Sequence, residues 1–132
     1  MALSRDPQPR LPGKLFKTAG AWEVWLARNG DLEKGLWLQI ARKSAPLKSV
    51  TYDEALEVAL CYGWIDGQNK ALDEHSWLQR FSPRGTGSIW SKANRAKAER
   101  LLLEGRMQQS GLAAIDRAKR NGEWQRQAFR CA

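Results

Sequence analysis

The sequence has few of the residues that form disulfide frameworks and metal sites. Its 132 residues include two cysteines, Cys61 and Cys131, and one histidine, His75. Two cysteines so far apart are too few for a disulfide framework, and with one histidine they do not readily complete a tetrahedral zinc site. We therefore expect reduced thiols, no structural metal and no cofactor.

Long apolar runs are missing as well. No stretch of the sequence approaches the about 18 apolar residues of a membrane span. Residues 1–13 also lack the apolar middle section that is typical of a signal peptide. The sequence therefore predicts no membrane span and a cytoplasmic location.

The length and composition predict one folded domain. A chain of 132 residues lies within the usual range of about 100 to 200 residues for a domain. A hydrophobic content of 42% and seven tryptophans are enough to build its core. Residues 1–14 contain Pro7, Pro9 and Pro12 and predict a flexible N-terminal arm, so the domain is expected over residues 15–130.

The positive charge is unevenly distributed along the chain. Residues 1–79 carry 10 basic and 10 acidic side chains, whereas residues 80–132 carry 12 basic and 4 acidic ones. The whole net charge of +8 therefore lies in the C-terminal part. Such a gradient favours an anionic partner, either a nucleic-acid backbone or a small acid or phosphate. Solvated helix faces rich in arginine and lysine are the alternative explanation.

Local signals divide the chain into helices and strands. Thr51 followed by Glu54 forms a capping box, which predicts the start of a helix. Apolar side chains alternate from Leu36 to Ile40, which is typical of a strand with one buried face. By the same criteria we predict helices over residues 19–29, 52–62 and 92–104, a last helix capped by Ser110 and ending near residue 121, and strands over residues 36–43, 64–72 and 76–81.

The two later strands are separated by a short turn and predict a hairpin. This hairpin can pair with the first strand, and three strands are the minimum for a stable small sheet. The predicted fold class is α+β, with about four helices packed on a small antiparallel sheet of about three strands.

Residues 63–94 are the part of the sequence most typical of a ligand site, because Trp, Asp, Arg, Ser and Asn surround a Gly-rich turn. The stretch holds no pair of metal ligands, no nucleophile with an evident base and no Walker lysine. An anion there would meet N–H groups of a helix start, hydroxyls and an arginine fork. We predict a binding module for an anionic small molecule, a peptide carboxylate or a phosphate, with ligand-binding residues Trp64, Asp66, Arg80, Arg84, Ser88, Trp90, Ser91 and Asn94.

The same residues are open to a purely structural interpretation. Asp66 and Arg80, on paired strands, are expected to lie close enough for a bidentate contact, which serves an ion pair as well as a ligand. Ser91 at the start of a helix is a natural cap. Trp64 and Trp90 are equally suited to a hydrophobic core.

Two other functions remain open at this stage. A basic helix containing Lys92, Arg95, Lys97 and Arg100, with Trp90 for base stacking, is consistent with nucleic-acid binding. An enzyme with Asp66 as base is the second alternative. A thiol enzyme is disfavoured, because Cys61 is expected in a buried helix and His75 in a hairpin turn.

Several short motifs occur in a characteristic order. They include GWIDG at residues 63–67, FSPR at residues 81–84 and SIWSKAN at residues 88–94. With these motifs, residues 14–124 resemble the YdeI/OmpD-associated family, also labelled bacteriocin-protection proteins. The resemblance implies no established reaction, cofactor or catalytic residue, because the family name reflects association and phenotype. Residues 85–87 depart from the family, in which more basic residues are expected.

Overall fold

The computed structural model describes residues 13–85 and 90–125. Within them the predicted α+β class is confirmed, with four helices and one antiparallel sheet of three strands. The predicted N-terminal arm lies, up to residue 12, outside the described residues. The elements are α1 (Ala19–Asn29), β1 (Leu36–Ala41), α2 (Tyr52–Cys61), β2 (Trp64–Ala71), β3 (Ser76–Pro83), α3 (Lys92–Leu103) and α4 (Gln109–Asn121).

The helix starts follow from side chains that cap the free backbone N–H groups. The hydroxyl of Thr18 accepts a hydrogen bond from the Ala21 N–H, at 3.1 Å. At α2 the capping box is complete, because Thr51 and Glu54 each accept from the other's backbone N–H. Each cap of this kind contributes roughly 1 kcal/mol to helix stability.

The prediction that Ser110 caps the last helix was wrong. Helix α4 begins at Gln109, and its N-cap residue Gln108, two residues before Ser110, makes no side-chain cap hydrogen bond. The Ser110 hydroxyl instead donates to the carbonyl of Tyr62, at 2.9 Å. This bond ties α4 to the end of α2, where Gly63 has a φ of +80° and lies against the Ser110 backbone.

The sheet has the order β1-β3-β2, and both pairs of strands are antiparallel. Strand β3 continues to Pro83, two residues beyond its predicted end, because Trp64 pairs with that proline. A bulge between Asp66 and Asn69 interrupts the pairing of β2 with β3. Lys14 forms a parallel bridge to Leu38 at the free edge of β1.

The register fixes which side chains share a face of the sheet. Asp66 lies opposite Phe81, and Trp37 lies opposite Arg80. Paired residues point to the same side, and consecutive residues of a strand point to opposite sides. Asp66 therefore lies on the face of the fully buried Phe81, whereas Arg80 lies on the other face.

Tryptophans account for much of the core. Trp22 and Trp64 are almost completely buried and meet edge to face, with ring centroids 6.2 Å apart. Their indole N–H groups donate to the carbonyls of Ala55, at 3.0 Å, and Gly30, at 3.3 Å. Because a buried indole needs such a partner, these bonds make both residues structural. No helix in the described ranges is long and apolar enough to cross a membrane.

Candidate functional site

Of the pocket predicted between the hairpin and α3, the described residues Trp64, Arg84 and Trp90 are buried by packing. Trp90 is 2% exposed, and its ring lies 4.9 Å from the ring of Trp124. The guanidinium carbon of Arg84 lies 3.7 Å from the centre of the Trp90 ring, and Arg84 as a whole is 8% exposed. The arginine therefore covers one side of the indole, and Trp124 packs against it as well.

The backbone of Arg84 also forms two hydrogen bonds to other parts of the fold. Its N–H donates to the carbonyl of Gly63, at 2.9 Å, and its own carbonyl accepts from Arg117, at 3.3 Å. Burial lowers the pKa of Arg84 to about 10, and the carboxylates of Asp66 and Glu123 act in the opposite direction. The negative charges facing Arg84 thus include two carboxylates of the chain itself.

The residues at the start of α3 have structural roles of the same kind. The Ser91 hydroxyl accepts from the Asn94 N–H, at 3.0 Å, so Ser91 is the N-cap of this helix. Trp64 lies in the core. Ser88, the remaining predicted residue of this part of the site, lies outside the described residues.

The expected contact between Asp66 and Arg80 is not formed. The two side chains lie on opposite faces of the sheet, because Asp66 pairs with Phe81 rather than with Arg80. The guanidinium carbon of Arg80 lies 5.6 Å from the Trp37 ring centre, and the Lys70 ammonium lies 5.7 Å from it. Both cations therefore stabilise the indole on the face away from Asp66.

Asp66 instead lines an open cavity of about 530 Å³ at the hairpin end of the sheet. We call this cavity the Asp66 cleft. Asp66 is the one residue of the predicted set found in its walls, because the others lie in the core, on the opposite face, at the α3 cap or outside the described residues. The lining residues are Arg42, Tyr52, Asp66, Gly67, Asn69, Lys70, Ala71, Trp77 and Gln79.

A tyrosine holds the carboxylate in one wall of the cleft. The hydroxyl of Tyr52 donates to Oδ2 of Asp66. Tyr52 is the first residue of α2, and the capping box fixes this helix end. Burial, and then the hydrogen bond and charge of Asp66, raise the pKa of Tyr52 above its usual value. Tyr52 therefore remains a hydrogen-bond donor at neutral pH, and the other lone pairs of Asp66 are available to a ligand.

The bulge of β2 shapes the floor of the cleft. Gln79 is only 3% exposed, and its amide nitrogen donates to the carbonyls of Gly67, at 3.0 Å, and Gln68, at 3.2 Å. These bonds satisfy backbone groups that leave the regular ladder at the bulge. Asn69 resumes the pairing and places its exposed side chain at the rim.

An arginine lies at the other wall. The guanidinium carbon of Arg42 lies 5.9 Å from the centre of the Trp77 ring. Its Nε donates to the carbonyl of Asp73, at 3.3 Å, and its backbone N–H donates to the carbonyl of His75, at 2.7 Å. Arg42 is exposed, so most of its donors face solvent.

Most residues of the Asp66 cleft were not among the predicted site residues. Trp77 and Gln79 alternate with Leu78 along β3, so a period of two already places them on one face with Phe81. Tyr52 carried no comparable signal, because the contact with Asp66 depends on how α2 lies on the sheet. Arg42 was included only as part of the first predicted strand.

The structure offers little support for a thiol enzyme or for nucleic-acid binding. Cys61 is buried, and burial raises the pKa of its thiol to about 11, so almost no thiolate exists at neutral pH. Trp90 is not accessible for base stacking. Arg100 of the basic helix is paired with Glu57, at 2.5 Å, and Glu104, at 3.1 Å. No metal-ligand cluster of three or more His, Cys, Asp or Glu side chains occurs in the described part of the chain.

The fold and the cleft define a small α+β domain with an open polar cavity at one end of its sheet. Over residues 14–114 the chain matches the model of a family described as a domain of unknown function, DUF8412. Because the match covers more than half of the chain, the protein belongs to this family. No curated protein and no solved structure matches the chain. The family description itself specifies no ligand and no reaction.

Proposed function

We propose that this protein binds a small molecule carrying a carboxylate or phosphate group, and that the ligand occupies the Asp66 cleft. The observation that carries the proposal is that Asp66 and Arg42 line one cavity of about 530 Å³, together with the rings of Tyr52 and Trp77. Ligand sites commonly enclose about 300 to 1,000 Å³ and combine aromatic walls with a few polar groups. The cleft has both properties.

Arg42 is the group best suited to the anion. Its planar fork offers paired donors to a carboxylate or phosphate. The Trp77 ring and the bond to the Asp73 carbonyl hold the guanidinium at the wall of the cleft. Lys70 lines the cleft as well, but its ammonium lies 5.7 Å from the centre of the Trp37 ring, on the other face of the sheet, so Arg42 is the better placed of the two cations.

Kinship with the YdeI/OmpD-associated proteins and a cytoplasmic location belong to the same proposal. The kinship is supported by the order of the GWIDG, FSPR and SIWSKAN motifs. Asp66 of the first motif lines the cleft, and the guanidinium of Arg84 of the second lies against the Trp90 ring. A ligand-binding role without an assigned reaction is consistent with what the resemblance implies.

Thermal unfolding in the presence of phosphate, sulfate, acetate and succinate tests the proposal. At least one anion should raise the melting temperature, because a ligand at a hundredfold excess over its Kd stabilises the folded state by about 2.7 kcal/mol. Arg42→Ala should abolish this stabilisation. Arg120→Ala is the matched control, since Arg120 is an exposed arginine of α4 paired with Asp116 at 3.1 Å.

Two results would contradict the proposal. The first is that no anion of the panel stabilises the wild-type protein. The second is that Arg42→Ala and Arg120→Ala weaken the stabilisation equally, because the effect would then come from net charge rather than from the cleft.

A further inference from the structure

A second cavity adjoins the Asp66 cleft. It has a volume of about 380 Å³ and shares Arg42, Tyr52 and Trp77 with the first. Its other walls come from the end of β1 and from residues 43–51, which connect β1 to α2. We call it the loop cavity. The shared side chains make the two cavities neighbouring compartments of one groove.

The loop cavity differs chemically from the Asp66 cleft. Ile40, Ala45 and Leu47 give it apolar walls, and Lys43 and Lys48 add positive charge near Arg42. None of its lining residues is an aspartate or glutamate. The groove thus carries its carboxylate, Asp66, at one end, and two lysines with apolar walls at the loop end.

Hydrogen bonds hold the connecting loop in shape. The Ala45 N–H donates to the carbonyl of Arg42, at 3.0 Å, and the Ser49 hydroxyl accepts from the Ala41 N–H, at 2.8 Å. Ser44 has a φ of 68°, in the left-handed region that residues other than glycine rarely adopt. The loop is therefore held in this conformation by one bond within itself and one bond to β1.

We propose that the groove binds a carboxylic acid that also carries a hydrogen-bond donor and an apolar side chain, as an apolar amino acid or the C-terminal residue of a peptide does. This inference rests on the proposed function and narrows its ligand class. The carboxylate binds at Arg42, the amine or amide N–H donates to Asp66, and the apolar chain packs on Ile40 and Leu47.

Charge and polarity determine this orientation. A second carboxylate near Asp66 would be repelled, so the anionic group belongs at the wall shared by both cavities. The free lone pairs of Asp66 require a donor, because a ligand that buries them without one loses affinity. An apolar chain gains most where Ile40 and Leu47 are its neighbours. Simple dianions such as succinate lack both the donor and the apolar chain.

Calorimetry with four probes of related shape tests the inference on the whole chain. Leucine carries all three groups, whereas glycine lacks the side chain, leucinamide the carboxylate and 4-methylpentanoate the amine. We expect each of the last three to bind about tenfold more weakly than leucine or worse. Glycylleucine distinguishes a peptide C-terminus from a free amino acid as the natural ligand. If it binds more tightly than leucine, the ligand is a peptide C-terminus, and if it binds more weakly, the ligand is a free amino acid.

Variants of the loop cavity locate the apolar subsite. Ala45→Phe fills the cavity and Leu47→Asn makes it polar, so each should reduce the preference for leucine over glycine to about twofold. The preference falls because leucine loses the apolar contacts of its side chain, which glycine does not make. Leu112→Asn is the matched control, because Leu112 is a 45% exposed leucine on α4, and it should leave the preference unchanged.

The outcomes distinguish this inference from the proposed function. If simple anions bind through Arg42 but leucine binds no better than glycine, the inference is overturned and the proposed function stands. The inference is also overturned if Ala45→Phe and Leu47→Asn both keep the preference of the wild type for leucine over glycine. If no anion and none of the five probes binds, both are wrong.

Discussion

Three arginines of the described residues lie over tryptophan rings, and two of these pairs, Arg84 with Trp90 and Arg42 with Trp77, have opposite surroundings. Arg84 lies 3.7 Å from the centre of the Trp90 ring, and both residues are buried. Arg42 lies 5.9 Å from the centre of the Trp77 ring, in the wall of an open cleft, and is exposed. The same pair of residue types thus builds part of the core in one place and a candidate ligand contact in the other.

Helix coverage explains the difference. The pair of Arg84 and Trp90 lies between β3 and α3, where Trp124 packs against it. The other pair lies near the hairpin turn, where the helices no longer cover the sheet. Along β2 the side chains change from buried at Trp64 to exposed from Gly67 to Ala71. A groove is therefore left where the hairpin extends past the start of α2.

Of the substitutions in the two pairs, replacement of each tryptophan by alanine should give the largest difference in the free energy of unfolding. Trp90→Ala should lower the free energy of unfolding by about 3–5 kcal/mol, because it deletes a large, fully packed side chain. Trp77→Ala should cost only about 1–2 kcal/mol, since Trp77 is half-buried and faces the cleft. Urea unfolding monitored by circular dichroism measures both. Equal losses would mean that Trp77 is as much a core residue as Trp90.

Removal of the two arginines is expected to have the next largest effect. Arg84→Ala should destabilise the protein by about 3 kcal/mol, because Asp66 and Glu123 would lose a buried positive charge. Arg42→Ala should change stability by less than about 0.5 kcal/mol, since exposed charges contribute little. The same urea experiment measures the pair.

Variants of Arg42 and Arg84 should also differ in ligand binding. Arg42→Ala should lose anion-dependent stabilisation although its fold is intact, whereas Arg84→Met, which keeps most of the apolar stem, should retain it. Loss of anion binding in Arg84→Met alone would return the candidate site to the exit of the hairpin, where the sequence placed it.

Secondary structure was largely predictable because its signals are local. Thr18 and the capping box at Thr51 mark helix starts within three residues, and both caps form as expected. The failure at Ser110 has a tertiary cause, since its hydroxyl bonds to Tyr62 of another element. The observed strand ends differ from the predicted ones by one or two residues, because a strand ends where its pairing partner ends rather than where its own sequence changes.

The site was less predictable because its residues converge only through register and packing. Residues that are close in sequence between 63 and 94 separate in space: Trp64 enters the core, Arg80 lies on the far face, and Ser91 caps a helix. Asp66 remains in a cleft, and its partner Tyr52 comes from the preceding helix. No spacing rule connects those two residues in the sequence.

Removal of the Tyr52 hydroxyl should have a smaller effect on the free energy of unfolding than Trp90→Ala or Arg84→Ala. Tyr52→Phe should cost about 1 kcal/mol, because it deletes one hydrogen bond to a partly exposed carboxylate. Tyr62→Phe is the matched control, since Tyr62 donates to Glu23, at 3.1 Å, away from the cleft. Both variants should lose similar stability in urea, but only Tyr52→Phe should change ligand binding.

The pH dependence of these two variants follows from the tyrosine pKa values. Burial and the neighbouring carboxylates raise the pKa of Tyr52 above its usual value of 10.0 and that of Tyr62 to about 12. Well below pH 10 both tyrosines are protonated in the folded and unfolded chains, so the difference in stability between wild type and variant is constant. As the pH rises above 10, the tyrosine ionises in the unfolded chain before it does so in the folded chain. The free energy of unfolding of the wild type therefore falls towards that of the variant. A difference that grew with pH would mean that the Tyr52 hydroxyl does not donate to Asp66.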